Sequence, residues 1–375
     1  MKNKILHLDW GYIDESYKPD FLPDLLKAAL TESQFDLLQY GDPYGLPALR
    51  EEAAVFIKNR LGIRNVASSD LLITNGATAG LDLIARVILK RRYDSVVLDP
   101  VFNTALECLL INSRKVHSVK FTDLGEITEK AWSRLEKLLT RANTKLIYTI
   151  PNFNNPNGAI LSISDRKKLL EMCQKYEVFI VEDDPYKLYN FSNVVLPQSI
   201  INLDVSRKNT IYITTISKLL YPGVRIGFVI ANLEILAQIA KIQKYTTSSA
   251  NLLSQGIALH AFKTKVVDKA ISYYQTRIAK KKVRILEEIK KSNITKYAKI
   301  SPFFGGFYLW LRFNENVNAT VLADSFAQLG ITYVPGSKYF VQHNYIRLAF
   351  SQIEEKDIGL AVERLNKAIE KFCLI

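Results

Sequence analysis

Cysteine is scarce in this chain: three among 375 residues, at Cys108, Cys173 and Cys373, odd in number and never spaced as CxxC. That excludes a disulfide framework and offers no zinc-ligand spacing. Histidine is as sparse, and His7, His117, His260 and His343 are too scattered to suggest a metal site. No apolar run approaches the roughly 18 residues of a membrane span, and His7 and Asp9 fall where a signal peptide needs an apolar stretch. The expectation is a cytoplasmic protein. Glycine (16) and proline (12) are few, and no repeat or Pro-, Gly- or Ser-rich linker occurs, which excludes collagenous and low-complexity classes.

What is present is ordinary globular composition, 48% hydrophobic and 23% charged. The chain is longer than the roughly 250 to 300 residues that one core serves, so a large domain with a smaller companion is expected. The net charge of +13 favours anions in general, whether nucleic acid, acidic surfaces, phosphates or carboxylates.

Short apolar strands alternate with helices through the middle of the chain. Strands are predicted at Leu71–Thr74, Ser95–Leu98, Lys145–Ile150, Val178–Glu182 and Thr210–Thr215, with helices from about Thr78, near Asn103, and from Ser164 to Lys175, where Ser164 reads as the N-cap. Such alternation reads as a parallel sheet covered on both faces. A long helical pattern follows over Val266–Lys291. The tail then mixes strands (Gly306–Arg312, Ile346–Phe350) with helices (Thr320–Leu329, Glu354–Lys371) in an α+β arrangement.

Ligands of parallel sheets bind beyond the carboxyl ends of the strands, and the residues there carry the chemistry. Asn75-Gly76-Ala77-Thr78 is a glycine turn opening a helix, suited to a phosphate or simply a turn. Phe102 is an aromatic at the sheet edge, a stacking platform or core. The stretch from Pro151 to Gly158 sets side-chain amides at the same edge. Glu182-Asp183-Asp184 are consecutive carboxylates that repel one another unless a cation or protonated ligand sits among them. Thr214-Thr215-Ile216-Ser217-Lys218 and Tyr221-Pro222-Gly223-Val224-Arg225 add hydroxyls and two cations.

In this order, from Gly11 to Ser351, these parts resemble the fold-type I enzymes that use pyridoxal 5'-phosphate. Specifically they resemble the class I/II aminotransferases of the kynurenine/2-aminoadipate branch. The resemblance implies an α/β fold, with a large cofactor-binding domain (residues 43–275) built on a mostly parallel seven-stranded sheet sandwiched by helices. A smaller α+β domain would comprise residues 276–375 and 1–42, the latter including an N-terminal arm. It also implies ping-pong transfer of an amino group between an L-amino acid and a 2-oxo acid.

Residue roles follow from the same resemblance. Lys218 matches the lysine that forms the internal aldimine and shuttles the proton, and Asp183 the carboxylate that keeps the pyridine nitrogen protonated. Asn155 and Tyr186 match the pair on the ring's phenolic oxygen, with Asn155 also near the substrate, and Phe102 matches the stacked aromatic. Gly76, Ala77, Thr78, Thr215, Ser217 and Arg225 match the phosphate site, the arginine fork bonding two oxygens at once. Tyr40 matches a tyrosine that reaches the phosphate from a partner subunit, which implies a homodimer with shared active sites. Arg347 matches the arginine holding the substrate α-carboxylate, with Gly11 approaching that carboxylate by its backbone. The chain departs from the family at Thr215 (usually Ser), Phe102 (usually Tyr), Asn154 (usually Gln) and Asn157 (usually Thr), which bears on fine specificity.

The same cofactor site could serve a C–S β-lyase, a decarboxylase or an amino-acid oxidase, which share the carbanion and differ in the bond aligned with the ring. A MocR-type regulator would attach this fold to a DNA-binding domain, for which the stretch before Tyr40 is too short. Lys280 to Arg284 reads as a solvated helix face, since no aromatics interleave with its charges. Trp10, Tyr12 and Tyr17 read equally as a substrate lid or as an arm packed on a partner.

Overall fold

The computed structural model describes residues 4–14, 21–31, 37–340 and 343–373. Tyr17 lies outside the described residues. In chain order the elements are β1 (Leu6–His7), α1 (Leu22–Thr31), α2 (Pro47–Leu61), β2 (Leu71–Thr74), α3 (Ala77–Leu89), β3 (Asp94–Asp99), α4 (Asn103–Asn112), β4 (Val116–Lys120), α5 (Glu129–Leu139), β5 (Thr144–Thr149) and α6 (Ile163–Lys175). There follow β6 (Phe179–Asp183), α7 (Ile200–Leu203), β7 (Thr210–Thr215), β8 (Gly227–Ile230), α8 (Leu233–Thr247), α9 (Leu252–Lys263) and α10 (Val266–Lys291). The last are α11 (Ile294–Tyr297), β9 (Ala298–Ile300), β10 (Tyr308–Phe313), α12 (Leu322–Gln328), β11 (Ile331–Thr332), β12 (Val334–Pro335), β13 (Tyr345–Ala349) and α13 (Ile358–Cys373).

A seven-stranded sheet runs in the order β2-β8-β7-β6-β5-β3-β4. Its strands pair in parallel except β8, which is antiparallel to both β2 and β7. Strands β2, β3, β7 and β8 are buried along their whole length, as the continuous apolar runs of a doubly covered sheet require. Parallel pairing gathers the carboxyl ends of β3, β5, β6 and β7 on one edge. Strands β4 and β8 add to the predicted set: β4 sits at the sheet margin with the mixed sequence VHSVK, and β8 is only 4 residues long.

Helix α6 begins two residues earlier than predicted. Ser162, not Ser164, is the N-cap, its Oγ accepting from the Asp165 N–H at 3.1 Å, while Asp165 sits in the first turn. Asn232 and Asn251 cap α8 and α9 in the same way.

A second, four-stranded antiparallel sheet runs β12-β13-β10-β9. The N-terminal segment joins this part of the molecule through β1, which pairs in parallel with β11. The 26-residue α10 buries a stripe of Tyr274, Ile278, Lys281, Ile285 and Ile289 at helical spacing. Lys281 therefore departs from the solvated face expected of residues 280–284. It is wholly buried, donating to Asp14 Oδ2 and to the Ser351 carbonyl, each at 2.9 Å. This pair fastens the arm across the molecule.

Candidate active site

A cavity of about 590 Å³ opens where the carboxyl ends of the large sheet face β10, β13 and the N-terminal arm. Its wall includes Gly11, Ala77, Thr78, Phe102, Asp183, Tyr186, Thr215, Ser217, Lys218, Arg225 and Arg347. All of these were singled out from the sequence. Trp10 and Tyr12 of the arm also line it, and Tyr308 of β10 does so without any sequence signal having marked it.

The three consecutive carboxylates do not form the cluster their order suggests. Strand alternation sends them to different faces. Glu182 accepts from the Ile200 and Ile201 N–H groups at the start of α7 (3.0 and 2.9 Å), and Asp184 accepts from Asn152 Nδ2 at 3.0 Å and Tyr212 Oη at 3.1 Å. Asp183 alone lines the cavity. Its Oδ2 accepts a 2.6 Å hydrogen bond from Tyr148 Oη, while its Oδ1 is buried without a partner. Burial pushes its carboxyl up to about 7, against the pull of the Tyr148 bond and Lys218.

Lys218 follows β7 on a single 3-10 turn, Ile216–Lys218. Its Nζ donates to the Gly11 carbonyl at 2.6 Å. Burial, with the Arg347 and Arg225 cations, lowers its pKa to about 8 against the opposing pull of Asp183. An amine so placed is neutral far more often than a surface lysine.

Arg347 stands on β13 opposite Trp310. Its Nη1 donates to Asn155 Oδ1 at 3.0 Å and its Nη2 to the Asp9 carbonyl, and its Nε is buried and unpartnered. Asn155 Nδ2 is likewise a buried donor with no acceptor. Tyr186 Oη lies 2.8 Å from Tyr308 Oη. The loop carrying Asn155 is braced from below by Arg166, wholly buried, whose Nη2 donates to the Pro151 carbonyl (2.8 Å) and Asn152 Oδ1 (2.7 Å). Asn154 and Asn157 also serve this loop, since Asn154 Nδ2 donates to Asn157 Oδ1 (2.8 Å) and to the Pro100 carbonyl (2.9 Å).

At the other end of the cavity α3 presents its N-terminus. Gly76 is its N-cap at φ +87°, a conformation that favours glycine, and a Cβ there would lie 2.5 Å from Arg225 Nη2. Arg225 thus packs against the turn, donating to the Pro222 and Asn75 carbonyls at 3.3 Å. The Thr215 hydroxyl donates to the Ile226 carbonyl (2.7 Å) and accepts from the Ser217 N–H (3.1 Å). Phe102, half-buried, stands at the N-cap position of α4 on the cavity wall. Tyr40 is apart from this set: it is 90% exposed and does not line the cavity. Among the described residues no group of three or more His, Cys, Asp or Glu side chains could hold a metal ion.

The sequence profile of the class I and II aminotransferases matches residues 8–365, nearly the whole chain. The chain belongs to this family. An aromatic-amino-acid aminotransferase of Thermococcus litoralis is 28% identical over 95% of this chain and 86% of its own length. The mitochondrial kynurenine/alpha-aminoadipate aminotransferase of the rat, Rattus norvegicus, is 27% identical over 89% of this chain and 83% of its own. The crystal structure of Pyrococcus horikoshii kynurenine aminotransferase, solved with PMP, superposes with a TM-score of 0.89 at 26% identity, covering 99% of this chain and 92% of that one.

Family membership makes this aminotransferase a pyridoxal-phosphate-dependent enzyme of fold type I, and kynurenine/aminoadipate aminotransferases are among the proteins it is similar to. The lyase, decarboxylase, oxidase and regulator readings are not favoured by it. The residues present fit the cofactor on their own terms. A carboxylate with one orphaned oxygen (Asp183 Oδ1) suits a protonated ring nitrogen, and an orphaned amide donor (Asn155 Nδ2) suits an anionic ring oxygen. A helix N-terminus flanked by hydroxyls and Arg225 suits a phosphate.

Proposed function

We propose that this aminotransferase works with Lys218 as its catalytic amine, Asp183 and Tyr186 as the groups that set the ring's charge, and Arg347 as the anchor of the substrate α-carboxylate. The observation that carries the reading is one cavity holding a half-buried amine of depressed pKa, a carboxylate with a free oxygen and an arginine with a free Nε. When bound, pyridoxal phosphate supplies an electron sink for the negative charge left at the substrate Cα.

The chain's own residues do the rest. Lys218 Nζ takes the proton from Cα in its neutral form, which its lowered pKa makes far more accessible than that of a surface lysine. Asp183, ionised once a cation faces its Oδ1, holds the ring-nitrogen proton. Asn155 Nδ2 and Tyr186 Oη donate to the ring oxygen. Gly76, Ala77, Thr78, Thr215, Ser217 and Arg225 hold the phosphate, and Phe102 packs on the ring face. The Arg347 fork grips the carboxylate, replacing the Asp9 carbonyl it now meets, and Gly11 gives that carboxylate room. The arm residues Trp10 and Tyr12 exclude water and offer a flat apolar wall, which supports donors with aromatic or similarly large side chains. The second substrate is a 2-oxo acid that reverses the sequence.

The exposed Tyr40 supports a homodimer in which this side chain reaches the partner's phosphate site. Residues 43–275 form the large domain, and 1–42 with 276–375 the small one. Among the described residues no helix is long and apolar enough to cross a membrane, consistent with a cytoplasmic enzyme. Borohydride reduction of the holoenzyme followed by peptide mapping tests the reading. The cofactor should be fixed to Lys218, and Lys218→Ala should abolish turnover while keeping the fold. A modified peptide elsewhere would remove Lys218 from the centre of the site and every neighbouring role with it. A donor screen with products identified by mass then establishes transamination and the preferred side chain.

A further inference from the structure

Tyr308, the first residue of β10, touches three parts of the site at once, although nothing in the sequence marked it. Its hydroxyl lies 2.8 Å from that of Tyr186. Its ring lies 4.3 Å beneath the Arg347 guanidinium carbon. It also fills the space beside the arm so closely that a Cβ on Gly11 would fall 1.9 Å from its oxygen. The side chain is 4% exposed, so none of these contacts is shared with bulk water.

From this geometry we infer that Tyr308 is a positioning residue linking the cofactor-ring contacts to the substrate-carboxylate contact, its hydroxyl polarising Tyr186 and its ring orienting the Arg347 fork. The inference rests on the roles proposed above for Tyr186 and Arg347. Each hydroxyl has one proton. When Tyr186 spends its proton on the ring oxygen, the hydroxyl–hydroxyl contact is completed by Tyr308 donating to Tyr186. A donor that itself accepts a hydrogen bond becomes a stronger donor. The aromatic face, meanwhile, attracts the cation and fixes the plane in which its two N–H groups point.

The two halves separate by substitution in the holoenzyme. Tyr308→Phe keeps the ring and removes the hydroxyl. Weaker donation leaves more negative charge on the ring oxygen, which holds a neighbouring proton more firmly. The pH midpoint of the bound cofactor's absorbance change should therefore rise, by up to about one pH unit, with KM for the amino acid near the parent's. Tyr308→Leu removes the ring as well and should raise KM for the amino acid about threefold to thirtyfold above that of Tyr308→Phe, while the half-reaction with the decarboxylated amine stays at the Tyr308→Phe rate. Should the leucine variant not fold, the near-isosteric phenylalanine variant still decides the hydroxyl half.

Tyr186→Phe serves as the reference. If it shifts the midpoint and Tyr308→Phe does not, the polarising role is wrong. If Tyr308→Leu raises KM no more than Tyr308→Phe, the ring does not orient Arg347. If Tyr186→Phe leaves the midpoint in place, the ring-oxygen role of Tyr186 fails first and the inference falls with it.

Discussion

The Tyr148 hydroxyl, on β5, donates a 2.6 Å hydrogen bond to Asp183 Oδ2 on the neighbouring β6, and both side chains are buried. This bond fixes one carboxylate oxygen and leaves the other, Oδ1, buried without a partner. It also works against burial in setting the charge of Asp183. Tyr148→Phe should therefore keep the fold and most of the cofactor affinity while slowing the amino-acid half-reaction about tenfold to a hundredfold, the worth of a hydrogen bond to a charged group. Stopped-flow half-reactions and equilibrium dialysis of the cofactor measure the two effects separately. A parental rate would mean that Asp183 is held in place without Tyr148.

Lys218 carries a pH prediction of definite sign. Only the neutral amine is a nucleophile, and burial brings its pKa from 10.5 to about 8. The rate at which the apoenzyme captures pyridoxal phosphate should climb with pH through a midpoint near that value. The Arg347 cation contributes to the depression, so Arg347→Leu should move the midpoint upward. A pH series of capture rates followed by absorbance checks both, and a midpoint near that of a surface lysine would contradict the enclosure of Lys218.

The parallel sheet and the residues at its carboxyl edge were legible because each rests on local signals. Apolar runs of strand length alternate with helices, and chemistry-bearing residues follow each run. Residues whose meaning depends on distant partners were not. Tyr148 reads as one more apolar strand residue until β6 is placed beside it. Tyr308 reads as core until the arm brings Gly11 against it. Lys281 sits in a basic run, yet its helical spacing from Ile278 and Ile285 puts it on the buried stripe, where Asp14 answers it across 267 residues of chain. Glu182 and Asp184 look like companions of Asp183 until the start of α7 and the Tyr212 hydroxyl claim them.

Asp99, at the end of β3, gives the chain a built-in pH dependence of stability unrelated to the cofactor. It is 1% exposed, and neither carboxyl oxygen has a hydrogen-bond partner. Burial pushes its pKa up to about 7, with Lys120 and Arg134 opposing. In the folded state it therefore binds a proton that the unfolded chain has released once pH exceeds the ordinary carboxyl range. The stabilisation is complete below that range and is lost as pH rises through about 7. Asp99→Asn should flatten the fall of Tm between the ordinary carboxyl range and about pH 7, raising Tm at the alkaline end relative to the parent. An unchanged slope would show that Asp99 is neutralised by a contact beyond those seen here.

Arg347 provides the sharpest separation of substrate binding from cofactor binding. Its guanidinium is held by Asn155 Oδ1 and the Asp9 carbonyl, with Tyr308 beneath it and Nε unused, so the group is oriented before any substrate arrives. A carboxylate that replaces the Asp9 carbonyl gains two parallel charge-assisted bonds at a buried guanidinium. Lysine keeps the charge but has no fork and cannot satisfy Asn155 and a carboxylate together in one plane. Arg347→Lys should thus retain cofactor and raise KM for the amino acid and the oxo acid alike, with a loss of about 2 to 5 kcal/mol in kcat/KM. Single half-reactions with an amino acid and with its decarboxylated amine provide the comparison, because the amine has nothing for Arg347 to hold. If both substrates slow equally, Arg347 supports the fold or the cofactor and the substrate carboxylate is held by another group.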